Sequence, residues 1–394
     1  MPPIKHALLG ASSAHRWLAC TPSARWETEF PEPPSSEAAA EGTLAHAIAE
    51  EHLTRLLAGK KVATSIKHKR NPLYKPVMEE YVDVYTDYIM EHLTEARTKT
   101  PDALLLQEER VDFSLYVSEG FGTADCILIA DGEMQIFDLK YGKGVPVDAV
   151  DNPQIRLYAL GALYAFDMLY DIERVTMHII QPRLDSITSE TLTVAELTAW
   201  AENIVKPRAE LATKGEGEHV AGEHCRWCKA KNVCRAHAEM QLEVAKLRFS
   251  EPEHEERPPA ELTAEEIGQI LDGVDSLVRW AKSVKEYALD QAVNHGQRIP
   301  GYKVVEGRSN RIITDESKAI DLLDGAGFTI DRVTKLKGLG ELEEIVGAKA
   351  LANLLGDLLM KPTGKPVLAK ESDKRPALNT AAAVFAPVAE ESEE

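Results

Sequence analysis

Two aspartates and a lysine in the segment GFGTADCILIADGEMQIFDLKYGKG, residues 120–144, have the types and spacing to act together. Asp131-Gly132 has the composition of a two-residue hairpin turn, because glycine accepts the positive φ that such turns demand. With those two residues as the loop, Ala130 pairs with Glu133. Continuing the count puts Asp125 opposite Asp138 and Thr123 opposite Lys140. Side chains alternate along a strand, so Thr123 shares a face with Asp125, and Asp138 with Lys140. Cys126 then points to the other face and reads as a small buried hydrophobe. Directly opposed side chains have Cβ atoms ~4.5–5.5 Å apart, where like charges repel. Two carboxylates facing each other in an apolar hairpin need compensation. A divalent cation supplies it, with Lys140 as the adjacent positive charge, and hard oxygen ligands suit Mg²⁺ or Mn²⁺. The alternative is an exposed hairpin whose polar face carries two acids; the apolar run CILIA argues for a buried strand instead.

Such a hairpin needs flanking elements to hold it. Patterning predicts helices over Ser12–Phe30, Gly42–Leu57 (with Thr43 near its cap) and Pro72–Arg97. Strands follow over Ala103–Phe113, Phe121–Ala130 and Glu133–Lys140. Then come a helix over Pro153–Tyr170, a strand over Arg174–Gln181 and a helix over Val194–Ala212. Helices followed by a mixed sheet with a crossover helix predict an α/β core. The charged, Pro-rich Ser250–Ala260 reads as a linker. Beyond it lie a long amphipathic helix over Glu261–His295, a strand-like piece near Tyr302–Glu306 and smaller helices ending with Ala348–Met360. From Pro376 to Glu394 the chain is Ala-rich, then acidic, the composition of a disordered tail. The expected division is 1–249, a linker at 250–260, a mostly helical region at 261–375 and the tail at 376–394.

Composition sets further bounds. The chain has 45 Lys and Arg against 64 Asp and Glu, a net charge of −19, so any basic footprint for nucleic acid must be local. Lys60, Lys61, Lys67, Lys69, Arg70 and Lys75, with Tyr74, form either such a footprint or a solvated loop. No run approaches the ~18 apolar residues of a membrane span, and the N-terminus MPPIKHALLG lacks a secretory pattern, so a cytoplasmic location without membrane attachment is expected. Five cysteines in a chain of this kind suggest metal or core roles rather than a disulfide framework. Cys225-x2-Cys228-x5-Cys234 has soft-ligand spacing. His237 or His224 would complete a zinc site, and Cys20 is the other candidate for a fourth ligand.

The order of these features resembles the RecB-type branch of the PD-(D/E)XK nucleases. Gly122-Thr-Ala-Asp125 and Asp138-Leu-Lys140 resemble that family's second and third motifs. Gly42-Thr-Leu-Ala-His46 resembles its first, and Gln154-Ile-Arg-Leu-Tyr158 its Q-x-x-x-Y signature; Gln154 and Tyr158, at i and i+4, share a helix face. The likeness covers roughly residues 12–240. It implies a restriction-endonuclease-like core, a mixed sheet flanked by helices, with a mostly helical C-terminal extension. It implies a metal-dependent DNA nuclease, expected to act as an exonuclease on ends or single strands. Asp125, Asp138, His46 and the Leu139 carbonyl would hold one or two Mg²⁺ or Mn²⁺ ions. Lys140 would position the attacking water, while Gln154 and Tyr158 would orient substrate or metal-site side chains. Glu50, one turn beyond His46, is either an outer-sphere acid or a solvated glutamate.

The segment SSAHRWLACTPSAR around Cys20 resembles the iron–sulfur members of that branch, including the CRISPR-associated exonucleases and AddB-like helicase–nucleases. There one cysteine before the core joins three after it, which implies a [4Fe–4S] cluster on Cys20, Cys225, Cys228 and Cys234, with Zn²⁺ as the alternative. The closing LMKPTGKPVLAKESDKRPAL resembles the end of an uncharacterised phage and prophage family. That implies a phage-type recombination or replication setting, with DNA as partner and a single-strand annealing protein beside it. Lys361, Lys365, Lys370, Lys374 and Arg375 form either a DNA contact or a solvated basic segment. Two other functions fit the same residues: a catalytically silent DNA-binding module, and an endonuclease on branched DNA.

Overall fold

Five strands form one sheet whose spatial order follows the chain: β1 (Leu104–Asp112), β2 (Phe121–Ala130), β3 (Glu133–Leu139), β4 (Arg174–Gln181) and β5 (Ser186–Thr193). Only β3 and β4 run parallel; the other three pairs are antiparallel. A parallel pair needs a long crossover, which contains a helix over Pro153–Tyr170. The structure, a computed structural model, describes residues 7–32, 35–245, 264–302, 318 and 338–355. The expected linker at 250–260, the piece beyond Tyr302 and the tail at 376–394 lie outside those residues.

The helices are α1 (Ala14–Ala19), α2 (Ser23–Trp26), α3 (Glu37–Leu57), α4 (Ile66–Lys69), α5 (Val77–Lys99), α6 (Pro153–Tyr170), α7 (Val194–Trp200), α8 (Lys206–Lys214), α9 (Arg235–Ala245) and α10 (Ala264–Asn294). They belong to the first of two units, residues 1–336; the second, 337–394, contains α11 (Leu339–Val346) and α12 (Ala348–Leu355). In the first unit α6, α1 and the α7–α8 segment cover one face of the sheet around Trp17, Ile127, Ile136, Met177 and Leu197. On the other face α3 and α5 pack Ile48, Leu53, Ile89 and Leu93 onto Leu128 and Phe137. The result is a mixed α/β sheet flanked by helices. Among the described residues, no helix is long and apolar enough to cross a membrane.

Several elements depart from expectation, each for a local reason. The single helix expected over Ser12–Phe30 is broken at Cys20, whose φ and ψ are −128° and 87°; Pro22 bars Thr21 from helical backbone. Helix α3 begins at Glu37 rather than Gly42. Ser36 caps it by accepting the Ala39 amide at 3.1 Å, and Thr43 sits inside, bonded to the Ala39 carbonyl. The Ala-rich run before Gly42 extends the helix because alanine loses the least on becoming helical. The helix expected over Pro72–Arg97 starts later, at Val77 with Pro76 as its N-cap, and runs to Lys99. The expected helix over Val194–Ala212 widens into π-helical turns at Ala201–Val205, just before Pro207, which has no amide hydrogen and crowds the carbonyl four residues back. Strand β5, SITSETLT, goes unmarked in the sequence because its alternation is of exposure and not of hydrophobicity.

His178 of β4 lies within the α5 face, 3% exposed, stacked on Phe137 with ring centroids 4.7 Å apart. A neutral imidazole satisfies both neighbours: Tyr88 donates to Nδ1 at 3.2 Å and Nε2–H donates to Gln135 Oε1 at 3.2 Å. Burial, with His92 alongside, pushes its pKa down to about 3. Between that value and ~6.5 the unfolded chain binds a proton that the folded chain refuses, so stability is full above ~6.5 and falls as pH drops. Urea melts at pH 7 and pH 5 are expected to differ by about 2 kcal/mol from this group, at ~1.4 kcal/mol per pH unit below ~6.5. His178→Phe should remove that part of the difference; an unchanged pH 5 loss in the variant would reject the assignment.

Candidate active site

The hairpin that carries the acids forms in the expected register. Ala130 pairs with Glu133, and the ladder runs unbroken to Cys126 with Phe137. Gly132 takes φ +76° in the turn. One step further the ladder changes. In place of a backbone partner, the Leu139 amide donates to Asp125 Oδ2 at 2.8 Å. The Lys140 amide turns to the Ile180 carbonyl of β4, also at 2.8 Å. The expected pairings of Asp125 with Asp138 and of Thr123 with Lys140 are therefore not part of the ladder, and Thr123 pairs with Arg110 of β1. Strand β3 thus loses its ladder with β2 after Phe137 but keeps the one with β4 as far as Leu139, paired with Ile180.

Strict alternation also slips here. Ala124 and Ile127 face α6, whereas Cys126 packs among the residues of α3 and α5, the side on which Asp125 meets His46. Cys126 is buried, as expected of a small hydrophobe, but not on the face opposite Asp125. The register of the neighbouring strand is the same on both sides of this point, but one pair drops out of the ladder. Gln107 pairs with Cys126 and Glu109 with Ala124, leaving Glu108 opposite Asp125 with φ +48°. Gln107 and Glu108 consequently line the same pocket as Asp125. A left-handed glutamate inside a strand costs about 1–3 kcal/mol and persists only where its surroundings impose it.

The side chains singled out from sequence meet in a chain of contacts. His46 Nδ1 of α3 lies 3.4 Å from Asp125 Oδ1. Lys140 Nζ reaches both oxygens of Asp138, at 3.2 and 2.9 Å, and donates to Gln154 Oε1 at 3.0 Å. Gln154 Nε2 in turn donates to the Tyr158 hydroxyl at 3.1 Å. Asn152 caps α6 by accepting the Gln154 amide, which fixes the turn that presents Gln154. Tyr158 lies against Gly122 so closely that a Cβ there would stand 2.5 Å from its ring. The glycine of the GTAD segment is what lets β2 and α6 approach.

Electrostatics follow from burial and crowding. Asp138, 3% exposed, is raised by burial and by Asp125, against the pull of Lys140 and His46. Glu108 is pushed up to about 7 by burial of its inner side and by Asp125, with His46 opposing and Glu50 adding. For His46, burial disfavours the charged ring, but the hydrogen bond and charge of Asp125, with Asp138 and Glu108, outweigh it and raise its pKa. Burial raises Tyr158, which keeps its phenolic proton. Among the described residues, one set of three has its ligand atoms within 4.8 Å of one another: His46, Glu108 and Asp125. Glu108 is the member that sequence reasoning missed. Asp138 stands outside that set, held by Lys140.

Helix α1 and the turn at Glu223–Trp227 pack together from the two ends of the core. Cys20 closes α1, Cys225 sits in the 3₁₀ turn packed beside it, and Cys228 is that turn's C-cap. Burial raises the Cys225 thiol, with Cys234 and Cys20 near enough to add to the rise, and pushes Cys228 up to about 12. Among the described residues no three sulfurs lie within 4.8 Å of one another. Both histidines weighed as a fourth ligand have hydrogen bonds elsewhere. His224 Nε2 meets the Val220 carbonyl at 2.9 Å. His237 meets the Lys231 carbonyl and Gln241. In the basic stretch, Lys69 and Lys75 are paired with Glu79 and Glu41, while Lys60, Lys61, Lys67 and Arg70 are exposed. Lys361, Lys365, Lys370, Lys374 and Arg375 lie outside the described residues.

Comparison with known proteins adds one family. A family model described as "Protein of unknown function (DUF2800)" matches residues 6–376. Among solved structures, the crystal structure of SSO0001 is similar at 16% identity, covering 49% of this chain and 96% of its own, with a TM-score of 0.23. At that score the likeness carries no argument.

Proposed function

This chain belongs to the DUF2800 family, described as proteins of unknown function, and on that premise we propose that it is a metal-dependent DNA nuclease of the RecB-type PD-(D/E)XK kind. The observation that carries the reading is the contact chain from His46 through Asp125, and from Asp138 through Lys140 and Gln154 to Tyr158. Residues from four regions of sequence, each matched to a different motif of that family, bring together two acids, a cation and a polar helix face.

The donor set fits a hard divalent ion. Asp125 and Asp138 offer carboxylates, and the ion pair at Asp138 Oδ2 lacks the geometry of a full hydrogen bond, leaving that oxygen able to take another partner. Asp125, Asp138, His46 and the Leu139 carbonyl would hold Mg²⁺ or Mn²⁺. Bound there, such an ion lowers the pKa of its water and polarises the scissile phosphate. The chain's own groups do the positioning. Lys140 is held between Asp138 and Gln154, so its ammonium is fixed where charge develops on the phosphate. Gln154 is oriented by the protonated Tyr158, which keeps its carbonyl oxygen on Lys140. Asp125 braces the end of β3 through the Leu139 amide, coupling the acid's position to Lys140, the next residue.

The same reading assigns Cys20, Cys225, Cys228 and Cys234 to a [4Fe–4S] cluster that staples α1 to the end of the core. Thiolates on a single tetrahedral zinc stand within about 4 Å of one another, given Zn–S near 2.3 Å. Thiolates of a four-iron cluster each hold a different iron and stand farther apart. Four cysteines would supply one thiolate to each of the four irons.

Protein purified without oxygen tests both parts. Expected are ~4 iron per chain by metal analysis, and degradation of end-labelled linear DNA with Mn²⁺ or Mg²⁺ but not with chelator, sparing a closed circle. Zinc retained in Cys20→Ser would reject the four-cysteine site. Cutting of the circle would make the protein an endonuclease, and binding of DNA without degradation would leave the silent module.

A further inference from the structure

Strand β2 lies between β1 and β3, so Asp125 has two sides. On the β3 side stand Asp138 and Lys140. The β1 side holds a pocket lined by His46, Tyr85, Gln107, Glu108 and Asp125 among others, and of these five the proposed hydrolysis uses only His46 and Asp125. His46, Glu108 and Asp125 each present a ligand atom there within 4.8 Å of the other two.

Three such residues alone do not make a site, because exposed acids often gather without a ligand. Tyr85 supplies an independent observation. It is 2% exposed, it lines the pocket, and its hydroxyl has no hydrogen-bond partner. A buried hydroxyl without a partner costs about 1–3 kcal/mol, and the neighbouring groups do not relieve it. The Gln107 carbonyl oxygen is buried and unpartnered in the same pocket, while its amide nitrogen donates to Thr54 at 3.4 Å. Two carboxylates, an imidazole, a phenol and an amide oxygen are predominantly acceptors. They complement a cation that carries its own water, and an anion finds no fixed positive partner among them. Glu108 is exposed and gives the entry path; Tyr85 is buried. One imidazole with two carboxylates suits a divalent transition ion better than Mg²⁺ or Ca²⁺, which favour all-oxygen sets.

We propose that His46, Glu108 and Asp125 form a second divalent-cation seat on the β1 side of Asp125, filled by an ion such as Mn²⁺, whose water is hydrogen-bonded by Tyr85 and Gln107. It shares Asp125 and His46 with the proposed nuclease site but does not depend on hydrolysis. The left-handed backbone at Glu108 has its purpose here: adjacent strand residues ordinarily face opposite sides, yet Glu108 lines the same pocket as Gln107.

The test is Mn²⁺ binding to the full chain without DNA, by electron paramagnetic resonance and calorimetry after removal of metal by chelator. Expected is a Mn²⁺ site that Glu108→Gln weakens at least 10-fold and that Asp138→Asn leaves in place. Tyr85→Phe, which keeps all three ligands, should weaken the same site several-fold and takes over as the test if circular dichroism shows Glu108→Gln unfolded. No Mn²⁺ binding by the wild type, or wild-type binding in a folded Glu108→Gln, overturns the seat. Mn²⁺ binding that needs Glu108, in a protein that degrades no DNA, upholds the seat and rejects the nuclease.

Discussion

Asp138→Asn is expected to reduce cation-dependent DNA degradation about 10³-fold or more while leaving the protein at least as stable as the wild type. The activity loss follows from removing one of two carboxylates on the cation and the anchor of Lys140, which touches both Asp138 oxygens. A single preorganised electrostatic partner is worth about 10²–10³ in rate, and this substitution removes a metal ligand as well. Stability should move the other way. Asp138 is buried and its pKa is raised, chiefly by burial and by Asp125. Above the ordinary carboxylate range the folded chain holds a proton that the unfolded chain has released, so this group's contribution worsens as pH rises. Asparagine keeps the shape and removes the charge that burial disfavours. Lys140 loses an ion pair but is partly solvated, so its charge is not stranded. Thermal melts beside rates on linear DNA give the readout. A melting temperature that falls in step with activity would mean that Asp138 is structural, and full activity would remove the catalytic assignment.

What the sequence made legible was whatever a short loop or a strong cap fixes. The two-residue turn at Asp131-Gly132 set the β2–β3 register to the residue, because no slack exists between the strands. Pro153–Tyr170 and Arg174–Gln181 fall where patterning puts them, with Asn152 capping α6 and Asp171 ending it in left-handed backbone. The β1–β2 register was not legible, since the connection through Phe113–Gly120 is long enough to allow several offsets. Glu108 was missed for that reason: nothing in LLLQEERVD says which acid faces Asp125. The slip at Asp125–Cys126 was hidden too, because alternation rules assume a regular strand. Strand β5 lacked apolar alternation because it is an edge strand, half exposed along its length.

Arg156 shows how the same helix separates structure from chemistry. It sits between Gln154 and Tyr158 in sequence but points away from them, and it is 8% exposed. Its guanidinium grips both oxygens of Glu190 on β5, at 2.7 and 2.5 Å, and Asp151 at 2.7 Å, with Trp200 of α7 beneath at 5.4 Å. Burial disfavours its charge, but Glu190 and Asp151 outweigh that and raise its pKa. Glu190 is almost as buried, with 10% of its side chain exposed. Removing the arginine strands that carboxylate, so Arg156→Ala is expected to cost about 3–5 kcal/mol in urea unfolding. Arg156→Lys should recover only part, because an ammonium cannot grip both oxygens in one plane. Arg156→Ala with Glu190→Ala should cost less than the sum of the two, since no unpaired charge is left behind. Asp138→Asn spares the fold and removes the chemistry; Arg156→Ala should weaken the fold, and at temperatures where it stays folded it should keep most of its activity, because Gln154 and Tyr158 still face Lys140. Additive single and double variants at Arg156 and Glu190 would sever that link, and would mean that β5 and α7 are held to the core by packing alone.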